Sequence, residues 1–328
     1  MVAPVAPDPD VAGSPAAMKG PCVVLDSHIH FWDPVRLSYP WLRGSRLERA
    51  FGPADLGADA DPVDGFVFVQ ADCDPGQALD EVEWVVQLAR HGAPVRGVVA
   101  HAPLETGLAA RAPLARLVEQ PLVVGIRRVL QDEPAGFALA ADFVAGVGLL
   151  AEHQLVFDVC VRDHQLAEIA ELARRCPGIP MVLDHLGKPA IAAGGFDSWR
   201  RDVDVLAGLP SVSAKLSGLA VEADPTRPLA AQVLPYLRHA LDVFGPDRCM
   251  FGSDWPVSST AVGYGEWLAI VTEAAAHLPP AARGAVLAGT AVSVYGLAGG
   301  DSSGRLNPRT PLEPPDPVRR RACGPTRS

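Results

Sequence analysis

Apolar residues fall in short, nearly unbroken runs along this chain, and longer stretches of helical spacing separate them. The runs are Cys22–His28, Gly65–Ala71, Val95–His101, Leu122–Val129, Leu155–Val161, Met181–His185, Ser211–Leu216 and Cys249–Ser253. Near-continuous apolarity of this length marks strands covered on both faces, as in a parallel sheet. Between the runs, "ALDEVEWVVQLARHG" repeats apolar positions at helical spacing and stops at a Gly. "LAEIAELARRCPG", "WRRDVDVLAGLP" and "VLPYLRHALDVFGP" stop in the same way. Eight strands alternating with helices, in a stretch close to the typical ~250 residues, predict a (β/α)8 TIM barrel built as a single domain. A doubly wound sheet is the competing α/β arrangement, and no G-x-G-x-x-G follows the first run to support it. The domain spans 20–297. Residues 1–19 are rich in Ala, Pro and Asp, and residues 298–328 in Gly, Ser, Pro and Arg. Both read as disordered tails, because such segments bury too little apolar area to offset their ordering entropy.

Composition narrows the classes of partner. Of 328 residues, 48% are hydrophobic and 20% charged, which is enough for a sizeable core. The net charge is −10 and the domain holds no Lys/Arg-rich block, so nucleic acid and anionic membranes are poor partners. No apolar run approaches the ~20 residues of a membrane span. The N-terminus carries Pro and Asp where a signal peptide needs an unbroken apolar stretch. Six scattered cysteines form no C-x-x-C pair, and Cys22, Cys160 and Cys249 sit in apolar runs as small buried hydrophobes. The expectation is a soluble, reduced, cytoplasmic protein. Nothing in the pattern fixes an oligomeric state.

A barrel of this kind carries its active site at the C-terminal strand ends, and chemically capable residues gather there. The first strand ends in Asp26, His28 and His30, and period-2 alternation turns both imidazoles to one side. The sixth supplies Asp184, His185 and Lys188, the seventh Lys215 and Ser217, and the eighth Ser253, Asp254 and Trp255. The fourth carries Arg127 and Arg128, of which one must point out of the barrel. Each residue alone has an ordinary reading, as a hydrogen-bonded core histidine or a loop cap. Their coincidence at strand ends is what favours function, since buried charges are costly elsewhere. His91, His239 and His277 fall on solvated helical faces, His153 at the opposite end, His164 in a polar connection, and His101 at the pocket wall.

"DSHIHFWDP…YPWL", "GIRRVLQDEP", "FDVCVR", "VLDHLGKP", "KLSGL", "FGPDRCMFGSDWPV" and "GTAVSVYGL" together resemble the lactonase branch of the amidohydrolase superfamily. That branch includes sugar-acid lactonases and 2-pyrone-4,6-dicarboxylate lactonase. The resemblance runs from about Val23 to Leu297 with the motifs in order. It implies a barrel that hydrolyses a small-molecule lactone. Asp254 would be the base that activates water. His28, His30 and His185 would polarise the carbonyl, directly or through one divalent ion, with zinc the expected metal and a metal-free site the alternative. The ligands of such an ion would be His28, His30, His185 and Asp254. Arg127 or Arg128, with Lys215 and Trp255, would face the substrate. Two positions depart from the pattern: strand five offers only Asp158 or Cys160 where a metal ligand is common, and Ala291 replaces an Asn. A decarboxylase of the same superfamily and a catalytically silent binding barrel are the competing functions.

Overall fold

A computed structural model of the protein describes residues 23–297, apart from 58–59 and 61–62. Both expected tails, and with them Cys22 and Cys323, lie outside the described residues. Eight strands run parallel: β1 (Leu25–Ile29), β2 (Gly65–Val69), β3 (Val95–His101), β4 (Val123–Val129), β5 (Val156–Cys160), β6 (Met181–Leu183), β7 (Val212–Leu216) and β8 (Cys249–Phe251). They pair in sequence order. The two ends of the sheet meet where Asp254 N donates to His28 O and His30 N donates to Trp255 O, both at 2.8 Å. The sheet therefore closes, and the single (β/α)8 barrel expected from the apolar runs is the observed architecture.

Among the described residues, nine α-helices flank it: α1 (Ala78–Arg90), α2 (Arg111–Val118), α3 (Ala141–Gly148), α4 (Leu166–Arg175), α5 (Phe196–Ala207), α6 (Leu229–Phe244), α7 (Tyr264–Ala274), α8 (Pro280–Gly284) and α9 (Thr290–Val294). The alternation is broken once. Among the described residues, no α-helix joins β1 to β2. That connection is a long loop pinned by a two-way backbone bridge between Trp32 and Phe51, at 3.0 and 2.8 Å. Among its prolines, Pro40 and Pro53 each open a short 3-10 turn, Pro40–Leu42 and Pro53–Asp55. Its aromatic residues pack on the barrel rim, Phe51 lying 5.5 Å from Trp255 and 5.3 Å from Trp32.

The core has two layers. The larger lies between sheet and helices, and the smaller fills the barrel itself with Leu25, Val67, Val69, Val99, Val156, Val182 and Met250. The base of the barrel is plugged by Ala288, Ala291, Tyr295 and Leu297 from the C-terminal helices. Ala291 is thus a packing position, 1% exposed, where an Asn amide would need partners that an apolar plug lacks. Strands alternate, so Arg127 follows Gly125 into the interior, Asp158 follows Val156, Asp184 follows Val182 and Lys215 follows Ser213. A layer of two cations and two anions thereby lies on the apolar layer, and the reactive residues lie on top of it.

Candidate active site

Strands β6 and β8 end two residues short of their apolar runs, and the chain spends those residues on the site. After Leu183 the backbone enters a left-handed turn, with φ of 55° at His185, 52° at Leu186, 74° at Gly187 and 47° at Lys188. Three of these four residues carry a Cβ, and the conformation costs about 1–2 kcal/mol for each. The turn aims the His185 ring and the Lys188 ammonium into the same pocket. Asp254 is likewise left-handed, with φ 58°. Gly218 makes room for the arrangement: a Cβ there would stand 2.3 Å from His185 Nδ1, at φ +66°.

His28, His30, His185 and Asp254 converge as their positions at the strand ends suggest. Asp254 Oδ1 lies 3.7 Å from His28 Nε2, 3.4 Å from His30 Nε2 and 3.8 Å from His185 Nε2. The two strand-one Nε2 atoms are 3.1 Å apart. Each ring is held from behind through Nδ1: His30 by Val69 O at 2.7 Å, His185 by Ser217 Oγ at 2.9 Å, and His28 by Asp184 Oδ1 at 3.2 Å. Burial lowers the pKa of all three imidazoles, that of His185 to about 4. They are therefore neutral at pH 7. Burial alone would raise Asp254, yet the surrounding rings, His185 foremost, outweigh it and hold the carboxyl well below its usual range.

These donors fit a divalent ion. A tetrahedral ion with bonds of about 2.1 Å separates its ligand atoms by roughly 3.4 Å, and the four measured separations scatter around that figure. The Nε2 atoms of all three rings turn towards Asp254, with Arg127 Nη1 also 3.4 Å from His28 Nε2, the carboxylate is ionised, and Nδ1 of each ring has a polar partner of the kind that orients a ligating histidine. His28, His30 and Asp254 form one group able to hold an ion, and His28, Asp184 and His185 form a second. Strand five contributes nothing to either: Asp158 is turned to Lys215 and Tyr295, and the thiol of Cys160 has its pKa raised by burial.

The other candidates separate by depth. Arg127 is buried and lines the pocket; it is bound to Asp184 Oδ2 at 3.3 Å and to Gln70 O. Arg128 is the outward member of the pair. Its guanidinium is held by Glu105 and Glu133 on the outer side of β4 and does not line the pocket. Lys215 is 0% exposed and lies beneath the pocket floor, bound to Asp158 and Asp184, so it does not face a substrate. Trp255 is buried against Phe31 and Phe51, behind the site. His101, at the end of β3, is not on the pocket wall either.

The pocket is a cavity of about 280 Å³, enough for one small ring. Besides the reactive groups it is lined by Trp41, Asp72, Gln131, Asp132, Lys188 and Val221. Lys188 Nζ donates to Gln131 Oε1, and Gln131 Nε2 donates to Asp132 Oδ2 at 3.2 Å. Sequence pattern alone does not single out Trp41, Asp72 or Gln131, because they stand on loops whose path it leaves open. A wider groove of about 570 Å³ on the outer face of α1 holds none of the converging groups.

A closed barrel with three neutral imidazoles and an ionised carboxylate at its C-terminal mouth defines a hydrolytic, metal-capable class of enzyme. The chain belongs to the amidohydrolase family, whose profile matches residues 25–297. It is 37% identical over 293 residues to the L-fucono-1,5-lactonase of Burkholderia multivorans, a match covering 83% of this chain and 96% of that protein. It is 34% identical over 286 residues to the L-fucono-1,5-lactonase of Burkholderia ambifaria, covering 83% and 94%. A zinc-bound crystal structure of an amidohydrolase from Burkholderia multivorans superposes with a TM-score of 0.75 at 35% identity, over 84% of this chain and 100% of that one.

Proposed function

We propose that this enzyme opens the lactone ring of a sugar acid with an activated water, acting on a small molecule in the cytoplasm. The observation that carries this is the convergence of His28, His30 and His185 on Asp254, in a chain 37% identical to a named sugar-acid lactonase. Asp254 takes a proton from water, the water oxygen bonds to the lactone carbonyl carbon, and negative charge gathers on the carbonyl oxygen. The ring C–O bond then breaks, and the departing ring oxygen takes up the proton that Asp254 held. The product is a hydroxy acid.

The hydrogen-bond network divides the work among the rings. His30 Nδ1 faces a carbonyl, which only accepts, so that nitrogen carries the proton and Nε2 is a lone pair. His185 Nδ1 faces a hydroxyl that can either donate or accept, so His185 can present Nε2–H to the carbonyl oxygen in an ion-free site, or an Nε2 lone pair to an ion. A carboxylate held as low as Asp254 is a weak base towards ordinary water. A zinc ion on His28, His30, His185 and Asp254 would remedy this, since bound water has a pKa near ~7. The polar wall of Asp72, Gln131 and Lys188 suits hydroxyl groups around the ring.

The test is a panel of sugar lactones, L-fucono-1,5-lactone among them, with acid release followed by a pH indicator. Stoichiometric acid release supports the reading. Carbon dioxide from carboxylated aromatics would mark a decarboxylase instead, and neither product would mark a silent barrel.

A further inference from the structure

The pocket mouth exposes apolar surface for which the hydrolytic groups have no use. Trp41 is 40% exposed and Val221 38%, and both line the pocket. Single exposed apolar side chains are ordinary on a protein surface, but two that converge on one cavity mark a contact face. Of the larger loop side chains around the pocket, Trp41 follows β1, and Val221 and Val257 follow β7 and β8; Asp72, Gln131 and Lys188 follow β2, β4 and β6. The strands pair in sequence order and β8 closes on β1. The first three side chains therefore form one continuous apolar side of the rim, and the polar three occupy the rest of it. Trp41 is held in place there. It belongs to the 3-10 turn Pro40–Leu42, a geometry in which residues three apart point the same way. Tyr39 and Leu42 go into the core and leave Trp41 outside. Its indole N–H donates to Ala71 O at 2.8 Å, and its ring stands nearly perpendicular to that of Trp32, with centroids 5.3 Å apart. Trp32 is itself fixed, its N–H donating to Arg49 O at 2.9 Å. An indole whose N–H is already bonded has only its apolar ring to offer a ligand.

We propose that Trp41 is the platform on which the sugar ring of the substrate lies, the indole taking a C–H face of the ring while Gln131 and Lys188 receive its hydroxyl groups. An aromatic face carries partial negative charge and the C–H hydrogens of a sugar ring are weakly positive, so the two attract as apolar area is buried. The polar side alone would accept any small hydroxylated molecule, cyclic or open. The indole adds a demand for a ring with a flat C–H side. A lactone presents such a side, whereas the opened hydroxy acid is a flexible chain that does not. The platform therefore favours substrate over product and sets specificity without moving a proton. This role rests on the reading of the pocket as a sugar-lactone site.

The test pairs kinetics on the full chain with a ligand that is never opened. For L-fucono-1,5-lactone, Trp41→Ala should raise KM by about 10- to 100-fold, the affinity that burying one large apolar side chain carries. Its kcat should stay within about threefold, as for an interaction made equally in substrate and transition state. Trp41→Phe keeps a ring face and loses the N–H, and it should recover most of that KM. The second ligand is L-fucono-1,5-lactam, whose ring amide resists hydrolysis. It should change the tryptophan fluorescence of the wild type, and Trp41→Phe should remove that change while calorimetry still detects binding. A fall in kcat at unchanged KM would make Trp41 a support of the fold and overturn the proposal, and so would a lactam that leaves the fluorescence unaltered. If Trp41→Ala does not fold, or if no acid is released from the lactone, the lactam fluorescence decides the platform alone; the absence of acid release counts against the lactonase reading only.

Discussion

Asp254 is tied into the molecule through its backbone as well as its carboxylate, because its amide donates to His28 O at 2.8 Å. Asn can adopt the same left-handed φ and keep that bond, so Asp254→Asn should leave thermal unfolding nearly unchanged. It should lower kcat by about 10²–10⁴-fold, the usual cost of losing a general base. A variant with near-normal kcat would remove Asp254 from the mechanism. Gly218 offers a more demanding test, since it has no side chain that could take part in the chemistry. Gly218→Ala would drive a methyl into His185 Nδ1 and displace the ring. Misplacement of a reacting group by about 1 Å can cost on the order of 10²-fold in rate. The expected outcome is a fall of that size in kcat beside a modest loss of stability. Unchanged kcat in a folded variant would show that the His185 ring position is not critical.

Among the elements, α1 carries the clearest pH signature. Glu81 faces inward and is fully buried; its Oε1 accepts from Ala71 N at 3.2 Å and from Tyr39 Oη at 3.3 Å, and its Oε2 has no partner among the described residues. Burial pushes its carboxyl up to about 7. The unfolded chain releases this proton near pH ~4.5 and the folded chain keeps it to about 7. The stabilisation is therefore complete below pH ~4.5 and is lost as the pH rises through 7, by about 3 kcal/mol in all. Glu81→Gln should flatten the stability profile across that range by a comparable amount in urea titrations at the two ends. An unaltered slope would assign the dependence to another group.

The same scale shows what the sequence made legible. The ends of β3 and the C-terminal end of β4 coincide with their apolar runs, and alternation required one of Arg127 and Arg128 to point outward. Which one, alternation alone could not say. β6 and β8 stop early because a left-handed turn leaves no mark in an apolar run. Lys215 misled for a related reason: a charge near a strand end suggests the pocket, but its depth depends on how tilted strands are staggered around the barrel. Gly218 could not be foreseen, as its close neighbour is 33 residues away in the chain.

For the whole molecule, the boundary at Leu297 matters more than the length of chain beyond it. Leu297 and Tyr295 help plug the barrel base, and Tyr295 Oη donates at 2.9 Å to Asp158, the partner of Lys215. A chain cut to 20–297 is expected to melt with the full chain, on the composition of the removed segments. A chain ending at 294 should lose about 3–5 kcal/mol, as for deletion of a large buried aromatic side chain; differential scanning calorimetry of the two truncations would separate them. The barrel seam has a consequence in time rather than in energy. The hydrogen bonds that join the first strand to the last also fix His28, His30 and Asp254 relative to one another. This contact has very long range in sequence, so it carries a large loop-closure cost during folding. A refolding chain can therefore bury most of its apolar surface and still have no active centre. Regained turnover would report the moment the barrel closes, later than any signal that follows collapse alone.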